Sequence, residues 1–244
     1  MDKAEFVIAS KNELVKKSAE ELKAKFSLEP IEKRLNDEAK ISGFKYEILR
    51  KLSTSYKDFE KDAWIKISEK GGFGAFWKDD PSGIISIKSV GEFPNFTPIE
   101  LAAILESNDL KKRYDEQFKD GKTIHETPNK IQLIHLMYNG KFPAKQRDFA
   151  MASAWCYINE DKTLVNINAS IKDDSIPETK DYVRAIAHKA FVIIKSNGKG
   201  GSIGIYMANV DLSGSLPGFI KNWASKGQAE LMENIYKALE IKKK

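Results

Sequence analysis

Hydrophobic positions along the chain change period twice, and the changes divide it into three stretches. From residue 3 to 26 they fall at Phe6, Val7, Leu14, Val15, Leu22 and Phe26, with charged residues between. That is helical spacing, and Pro30 ends it. A second helical stretch is expected from Ile31 to about Phe59, broken near Gly43. Alternation then takes over and predicts strands at Trp64 to Ser68, Gly74 to Lys78 and Ile84 to Val90, with Asp79-Asp80-Pro81-Ser82-Gly83 as a turn between the last two. Thr97-Pro98-Ile99-Glu100 reads as an N-cap with proline at the first helical position, opening a helix to about Glu106, and a second short helix is expected from Asp109 to Phe118. Further strands are predicted at Ile131 to Tyr138, Asp148 to Ile158, Thr163 to Ile171, Tyr182 to Lys195 and Ser202 to Asp211, with hairpin turns at Asn159 to Lys162 and Asn197 to Gly201.

The third stretch is helical again. From Leu216 onward Phe219, Ile220, Trp223, Ala224, Leu231, Ile235 and Leu239 recur at helical spacing, Pro217 sits in the first turn, and Lys242 to Lys244 suit the negative end of the dipole. One helix of about 23 residues is expected, roughly 34 Å long. A run of strands ending in one such helix predicts an α+β fold in which a sheet wraps the helix and leaves a hollow beneath it.

Composition narrows the classes. The 244 residues suit one large domain, or one domain and an extension, and the 41% apolar content supplies a core. Net charge is +5. That bias favours anionic membrane surfaces mildly and is too small to argue for nucleic acid. Cys156 stands alone, so no internal disulfide forms, which fits a reducing, cytoplasmic setting. The N-terminus shows no signal-peptide hydrophobic region and no myristoylation glycine, and no apolar run reaches 18 residues. Membrane contact is therefore expected to be peripheral.

Candidate chemistry is sparse. On the strand from Asp148, one face carries Ala150, Ala152, Ala154 and Cys156, and the other carries Phe149, Met151, Ser153, Trp155 and Tyr157. Both are largely apolar, so both are expected to be covered, and pattern alone does not choose which meets a ligand. On the next strand Val165, Ile167, Ala169 and Ile171 form the apolar face, opposite Asn166, Asn168 and Ser170. Asn168 then faces either solvent or a cavity. Arg147 and Asp148 point to opposite faces and read as members of structural ion pairs, as does Arg184, while Asp211 reads as pinning a loop. Cys156 reads as inert core, His125 as part of a polar turn, and His135 and His188 as strand residues. The glycine runs at Gly71 and Gly198 lack a Walker ending. Lys111-Lys112-Arg113 could meet phosphates, though a solvated helix face is the default reading. Only Asp115 and His135 offer acid–base groups for a cavity, so no enzyme and no cofactor are expected.

An ordered set of landmarks adds to this. Trp64-Ile65-Lys66-Ile67, Leu110-Lys111-Lys112-Arg113-Tyr114-Asp115, Arg147-Asp148-Phe149, Asp181-Tyr182-Val183-Arg184-Ala185, Ala208-Asn209-Val210-Asp211, Ser213-Gly214-Ser215-Leu216-Pro217 and Asn222-Trp223-Ala224 follow one another. Over roughly residues 45 to 240 the chain resembles START lipid-transfer domains, in particular the phosphatidylcholine and ceramide transfer branches. The resemblance implies a helix-grip fold: a curved antiparallel sheet closed by the C-terminal helix over one lipid. It implies a START domain at residues 31–244 preceded by a helical extension at 1–30, which could bind a protein partner. It places Lys111, Asp115, Leu136, Phe149, Met151, Ser153, Asn168, Tyr206, Phe219 and Trp223 around the lipid. Phe142, Pro143, Leu216 and Pro217 fall at the lips of the lipid entrance, against a membrane. The chain departs from both branches at Leu136, where one has a glutamine and the other an aromatic, and Lys111 stands where a phosphate-binding arginine is usual. The function implied is binding of one phospholipid or ceramide-like lipid and its transfer between membranes. A lipid- or metabolite-sensing module, or an enzyme on a related scaffold, would use the same hollow.

Overall fold

The computed structural model describes residues 7–27, 29–43, 45–78, 84–158 and 163–240. The chain opens with four helices, α1 (Glu13–Lys25), α2 (Ile31–Ser42), α3 (Glu47–Ser53) and α4 (Tyr56–Lys61). Strands β1 (Ile65–Lys70), β2 (Phe73–Lys78) and β3 (Ile85–Phe93) follow, then α5 (Pro98–Glu106) and α6 (Asn108–Tyr114). Seven more strands come next: β4 (Phe118–Glu126), β5 (Gln132–Tyr138), β6 (Gln146–Ile158), β7 (Thr163–Ser170), β8 (Tyr182–Arg184), β9 (Ile186–Ser196) and β10 (Ser202–Asp211). Helices α7 (Gly218–Ala229) and α8 (Leu231–Glu240) close the chain. The strands form one sheet in the order β1-β2-β3-β10-β9-β7-β6-β5-β4, antiparallel throughout, and β8 adds to β6 in parallel. This is the helix-grip architecture.

The sheet is covered on both faces, and the alternation of β6 and β7 shows how. Ala152, Ala154 and Cys156, with Val165, Ile167 and Ala169, pack against Ile31, Leu35, Leu49, Leu52, Tyr56 and Phe59 of α2, α3 and α4. The small residues let these helices lie close to the strand. Gly43, at a φ of 65°, ends α2 as the sequence predicts. Arg34 locks α2 down, donating to the carbonyls of Trp155 at 2.7 Å, Lys130 at 2.8 Å and Asn129 at 2.9 Å. The opposite face of the sheet meets α1, α5, α6 and α8 in a second core containing Trp155, Tyr157, Leu164 and Ile194. Helix α5 is apolar on nearly all sides and is buried along its length. A capping box formed by Thr97 and Glu100 starts it.

Several elements differ from the sequence-based expectation: residues 7–12 are not helical and α1 begins only at Glu13, capped by Asn12, and the stretch to Phe59 breaks again between Ser53 and Tyr56. The single long C-terminal helix is interrupted at Glu230, between α7 and α8. The interruption lets α8 press Met232 onto β3 and β10 at Gly91 and Gly204, where a Cβ would lie 2.8 Å from Met232 Cβ and 3.2 Å from Met232 Sδ. Ser89 Oγ of β3 accepts the backbone N–H of Met232 at 3.0 Å, so a freed donor of the first turn of α8 has a partner. The expected second short helix stops at Tyr114, and Phe118 instead begins β4, a strand the sequence pattern does not predict. Strand β4 is a mostly exposed edge strand, so it lacks the alternation that betrays a half-buried one, and His125 lies in it rather than in a turn. The stretch from Tyr182 divides into β8 and β9. The turn at 79–83 and the hairpin at 159–162, like Lys242 to Lys244, lie outside the described residues.

Candidate functional site

Between the concave face of the sheet and α7 lies a cavity of about 560 Å³. That falls within the range of about 300–1,000 Å³ typical of small-molecule sites. Strand register determines which side chains reach it. Leu136 pairs with Phe149 and Ile134 with Met151, while Gln132 pairs with Ser153, which pairs in turn with Asn168. Residues directly opposite in a ladder share a face. Phe149, Met151, Ser153 and Trp155 line the cavity, while the alanine row of β6 points the other way into α2, α3 and α4. The apolar face of β7 is thus the helix-covered one, and its polar face lines the hollow.

Most of the cavity wall is apolar, with Ile85, Ile87, Ala187, Ala190, Val192 and Ala208 from β3, β9 and β10. Polar and charged residues also line it, among them Glu106, Asp109, Lys112, Asp120 and Lys122, and two polar groups face each other across it. Asn168 donates to Asn166 Oδ1, and Asn166 donates to Ser153 Oγ at 3.2 Å, which joins three of the cavity's polar side chains in a chain. Opposite, α6 supplies Lys111 and Asp115, one turn apart. Asp115 is 7% exposed. Its carboxylate accepts from the Gln117 backbone N–H at 3.1 Å and from Gln228 Nε2 of α7 at 3.0 Å. Burial raises the pKa of Asp115, against those hydrogen bonds and the nearby Lys111. Burial also lowers the pKa of Lys111, against the attraction of Glu106 and Asp115. The Lys111 ammonium lies 5.2 Å from the centre of the Phe118 ring and forms no ion pair among the described residues. The Tyr206 and Tyr138 hydroxyls also line the cavity without a hydrogen-bond partner among the described residues, and burial raises the pKa of both. These groups face the cavity with hydrogen-bonding capacity to spare, which a ligand with polar atoms of its own can use.

Helix α7 roofs the cavity with Trp223, Ala224, Ser225 and Gln228. Gly227 lies so close to Gln117 that a Cβ there would collide with its amide, whose Nε2 donates to the Trp223 carbonyl at 3.2 Å. At one end of the cavity two loops meet. The Lys141 ammonium, between β5 and β6, lies 5.3 Å from the centre of the Trp223 ring. Arg147 donates to the carbonyls of Leu212 at 3.1 Å and Ser213 at 3.2 Å. Its expected role in an ion pair is therefore replaced by a clamp on the segment leading into α7. Asp211 pins the same segment, accepting from the Ser213 N–H at 2.8 Å. Leu216 lines this mouth, Pro143 and Pro217 are exposed beside it, and Phe142 is 92% exposed.

Two expected positions fall elsewhere. Phe219 is 56% exposed and does not line the cavity: it lies on the first turn of α7 among exposed residues. His135 occupies the face of β5 opposite Leu136, where its Nε2 lies 2.8 Å from Asp148 Oδ2, so it offers the cavity no acid–base group. Cys156 is buried among apolar side chains, and burial pushes its thiol pKa up to about 12. Tyr138 and Gln228 also line the cavity and carry no sequence signal for it, because a strand tyrosine and a helical glutamine follow no pattern that points inward.

Comparison with known proteins places this architecture. A START domain model matches residues 56–243. The chain belongs to the START domain family. It is 26% identical over 183 residues to the phosphatidylcholine transfer protein of Mus musculus, an alignment covering 72% of this chain and 84% of that one. It is 27% identical over 136 residues to the START domain-containing protein 10 of Homo sapiens, covering 55% of this chain and 46% of the relative. Among solved structures, human StAR-related lipid transfer protein 5 superposes with a TM-score of 0.68 at 15% identity, over 80% of this chain and 96% of that one. Human STARD10 gives 0.64 at 22% identity, over 77% and 80%. Among the described residues of this START protein, no helix is long and apolar enough to cross a membrane.

The raised pKa of Asp115 gives a signed expectation. A carboxyl whose folded value lies above its unfolded one favours the folded state at low pH, and loses that contribution as pH rises through the folded value. At neutral pH the ionised group opposes folding. Asp115→Asn is expected to raise the Tm of the lipid-free START protein at pH 7. The gain should shrink as pH falls and vanish below about 4, where the unfolded aspartate is itself protonated. Thermal melts of both forms across that range check it, and a Tm difference that stays constant with pH would contradict it.

Proposed function

We propose that this START protein binds one lipid, a phospholipid or ceramide-like sphingolipid, in its internal cavity and carries it between membranes without covalent chemistry. The observation that carries the reading is the hollow itself: about 560 Å³, mostly apolar, with Lys111, Tyr138 and Tyr206 offering polar atoms that have no hydrogen-bond or ion-pair partner among the described residues. Asp115 and Asn168 complete the polar set, and Leu136, Phe149, Met151, Ser153 and Trp223 shape the walls around the chains. The Lys111 ammonium suits a phosphate. The names of the aligned relatives, which include lipid transfer proteins, agree with this reading.

The mechanism follows from burial. Each methylene taken into the cavity contributes roughly 0.8 kcal/mol gross. The bilayer supplies the same term, so exchange is near balance and the protein's task is to lower the barrier. Phe142, Pro143, Leu216 and Pro217 at the mouth are the groups that would touch the bilayer, and the exposed Phe219 joins them on the first turn of α7. The mild positive charge favours anionic surfaces, and the protein would act from the cytoplasm as a peripheral visitor. In the domain division that we propose, residues 31–244 form the START domain and residues 1–30 precede it.

Native mass spectrometry of the protein purified from its host, followed by extraction of the bound molecule, tests this reading. One lipid per chain is expected, exchangeable against vesicles holding phosphatidylcholine or ceramide. A protein that stays empty after incubation with both kinds of vesicle would remove the lipid-carrier reading.

A further inference from the structure

Helix α1 lies before the span that matches the START family, yet it is built into the cavity. Its Ser18, Glu21 and Leu22 line the hollow. The helix is firmly held. Asn12 Oδ1 caps it, accepting from the N–H groups of Leu14 at 3.1 Å and Val15 at 3.3 Å. Val15, Ala19 and Leu22 share one face and are buried with α5 and the end of β6, with Leu22 2% exposed. Upstream, the Glu100 carboxylate that caps α5 also accepts the backbone N–H groups of Ala9 and Ser10, each at 2.5 Å, and Thr97 Oγ1 donates to the Val7 carbonyl at 2.7 Å. Beyond the helix, the Phe26 ring centre lies 6.0 Å from that of Trp155. These contacts fix α1 as part of the wall.

Leu22 belongs to the same core as Ala103, Leu105, Trp155, Val192 and Leu231, and each of these residues also lines the cavity. These side chains form an apolar strip of the wall, beside which α1 also presents Ser18 and the exposed Glu21. We infer that α1 closes the end of the lipid cavity and that Leu22 and Ser18 set the acyl chain length the protein retains. The inference rests on the lipid-binding reading above. A close-packed wall rejects a chain too long for the hollow and leaves a void beside one too short, so the volume of one side chain sets the optimum.

The two residues give tests of opposite sign. Leu22→Ala removes three carbons from the wall, so the preferred chain should lengthen by about two to three methylenes. Ser18→Phe adds a ring, so the preferred chain should shorten, with Ser18→Ala as the control that leaves it in place. Each full-length variant is incubated with vesicles containing an equal mixture of phosphatidylcholines in a graded series of chain lengths, and the retained lipids are weighed by native mass spectrometry. The ratio of longer to shorter chains should move up to about fourfold per methylene, upward for Leu22→Ala and downward for Ser18→Phe. If Leu22→Ala fails to fold, Ser18→Phe alone decides. A wild type that loads no lipid removes the lipid reading itself. A wild type that loads normally, with a variant profile unchanged or altered only in headgroup when ceramide is added to the mixture, overturns the inference about α1.

Discussion

Phe142→Asp should slow transfer of a fluorescent lipid between vesicles by roughly 10- to 100-fold while leaving equilibrium binding of the same lipid within about twofold. Inserting a phenylalanine into the apolar edge of a bilayer contributes about 1.5–3 kcal/mol, and each 1.4 kcal/mol is a factor of ten. Phe142 is 92% exposed and lines no part of the cavity, so its replacement costs neither fold nor binding contacts. Leu216→Asp should slow transfer comparably and weaken binding as well, because Leu216 lines the mouth. The separation of rate from affinity at Phe142 is the diagnostic result. Stopped-flow transfer alongside equilibrium titration measures both, and wild-type transfer rates in the two variants would discard the assignment of these loops as the membrane-contacting mouth.

The largest expected effect on stability lies at Asp148. Its carboxylate is 2% exposed, accepts from Arg184 Nε at 3.0 Å and Nη2 at 2.9 Å, and lies 2.8 Å from His135 Nε2. Arg184 also donates to the Ile176 carbonyl at 3.2 Å, and the Ala185 N–H donates to the Asp148 carbonyl at 2.9 Å. This network holds β8 to β6 at the start of the cavity-lining strand, where Ala185 and Ala187 back Phe149 and Met151. Asp148→Ala leaves a largely buried guanidinium without its carboxylate and should cost about 3–5 kcal/mol. For a domain of this size that lowers Tm by on the order of 10 °C.

The pH dependence of the same pair carries a definite sign. Burial acts to raise the Asp148 pKa, but the hydrogen bonds from Arg184 and His135 outweigh it and hold the value below that of an ordinary aspartate. A depressed folded pKa contributes stability above the unfolded value of about 3.9 and loses it as pH falls further. The Tm values of wild type and Asp148→Ala should therefore lie far apart at pH 7 and draw together below about pH 4. Equal melting temperatures at pH 7 would show that the network contributes nothing.

How much of this was legible in the chain varies with the kind of element. Periodic segments with one covered face announced themselves: the break at Gly43, the capped start of α5 at Thr97, and most strands follow from local chemistry that needs no tertiary context. Strand β4 was silent because it is a mostly exposed edge strand whose large apolar residues, Phe118 and Ile124, are too few to mark a period of two. The landmarks that resemble START domains supplied the architecture, since the order of short motifs survives where no single one is specific.

The orientation of the faces was another matter. On β7 the apolar side, Val165, Ile167 and Ala169, suggested a core and left Asn168 either wet or enclosed; the sequence alone determined only that the two faces differ. Helices α2, α3 and α4 lie against the apolar side, and the polar side lines the hollow. Which face a helix covers depends on chain segments distant in sequence, and no local period encodes it. The same holds for Phe219, which keeps helical spacing with the buried residues of α8. Trp223, one turn further along the same helix α7, lines the cavity, whereas Phe219 does not reach it and is 56% exposed, so a residue in register with the core on paper stands in solvent. Local patterning determined the elements, their order and the presence of a sheet-wrapped helix. The enclosed volume, the unpartnered groups within it and the place of α1 in its wall depend on long-range packing, and only the tertiary structure decided them.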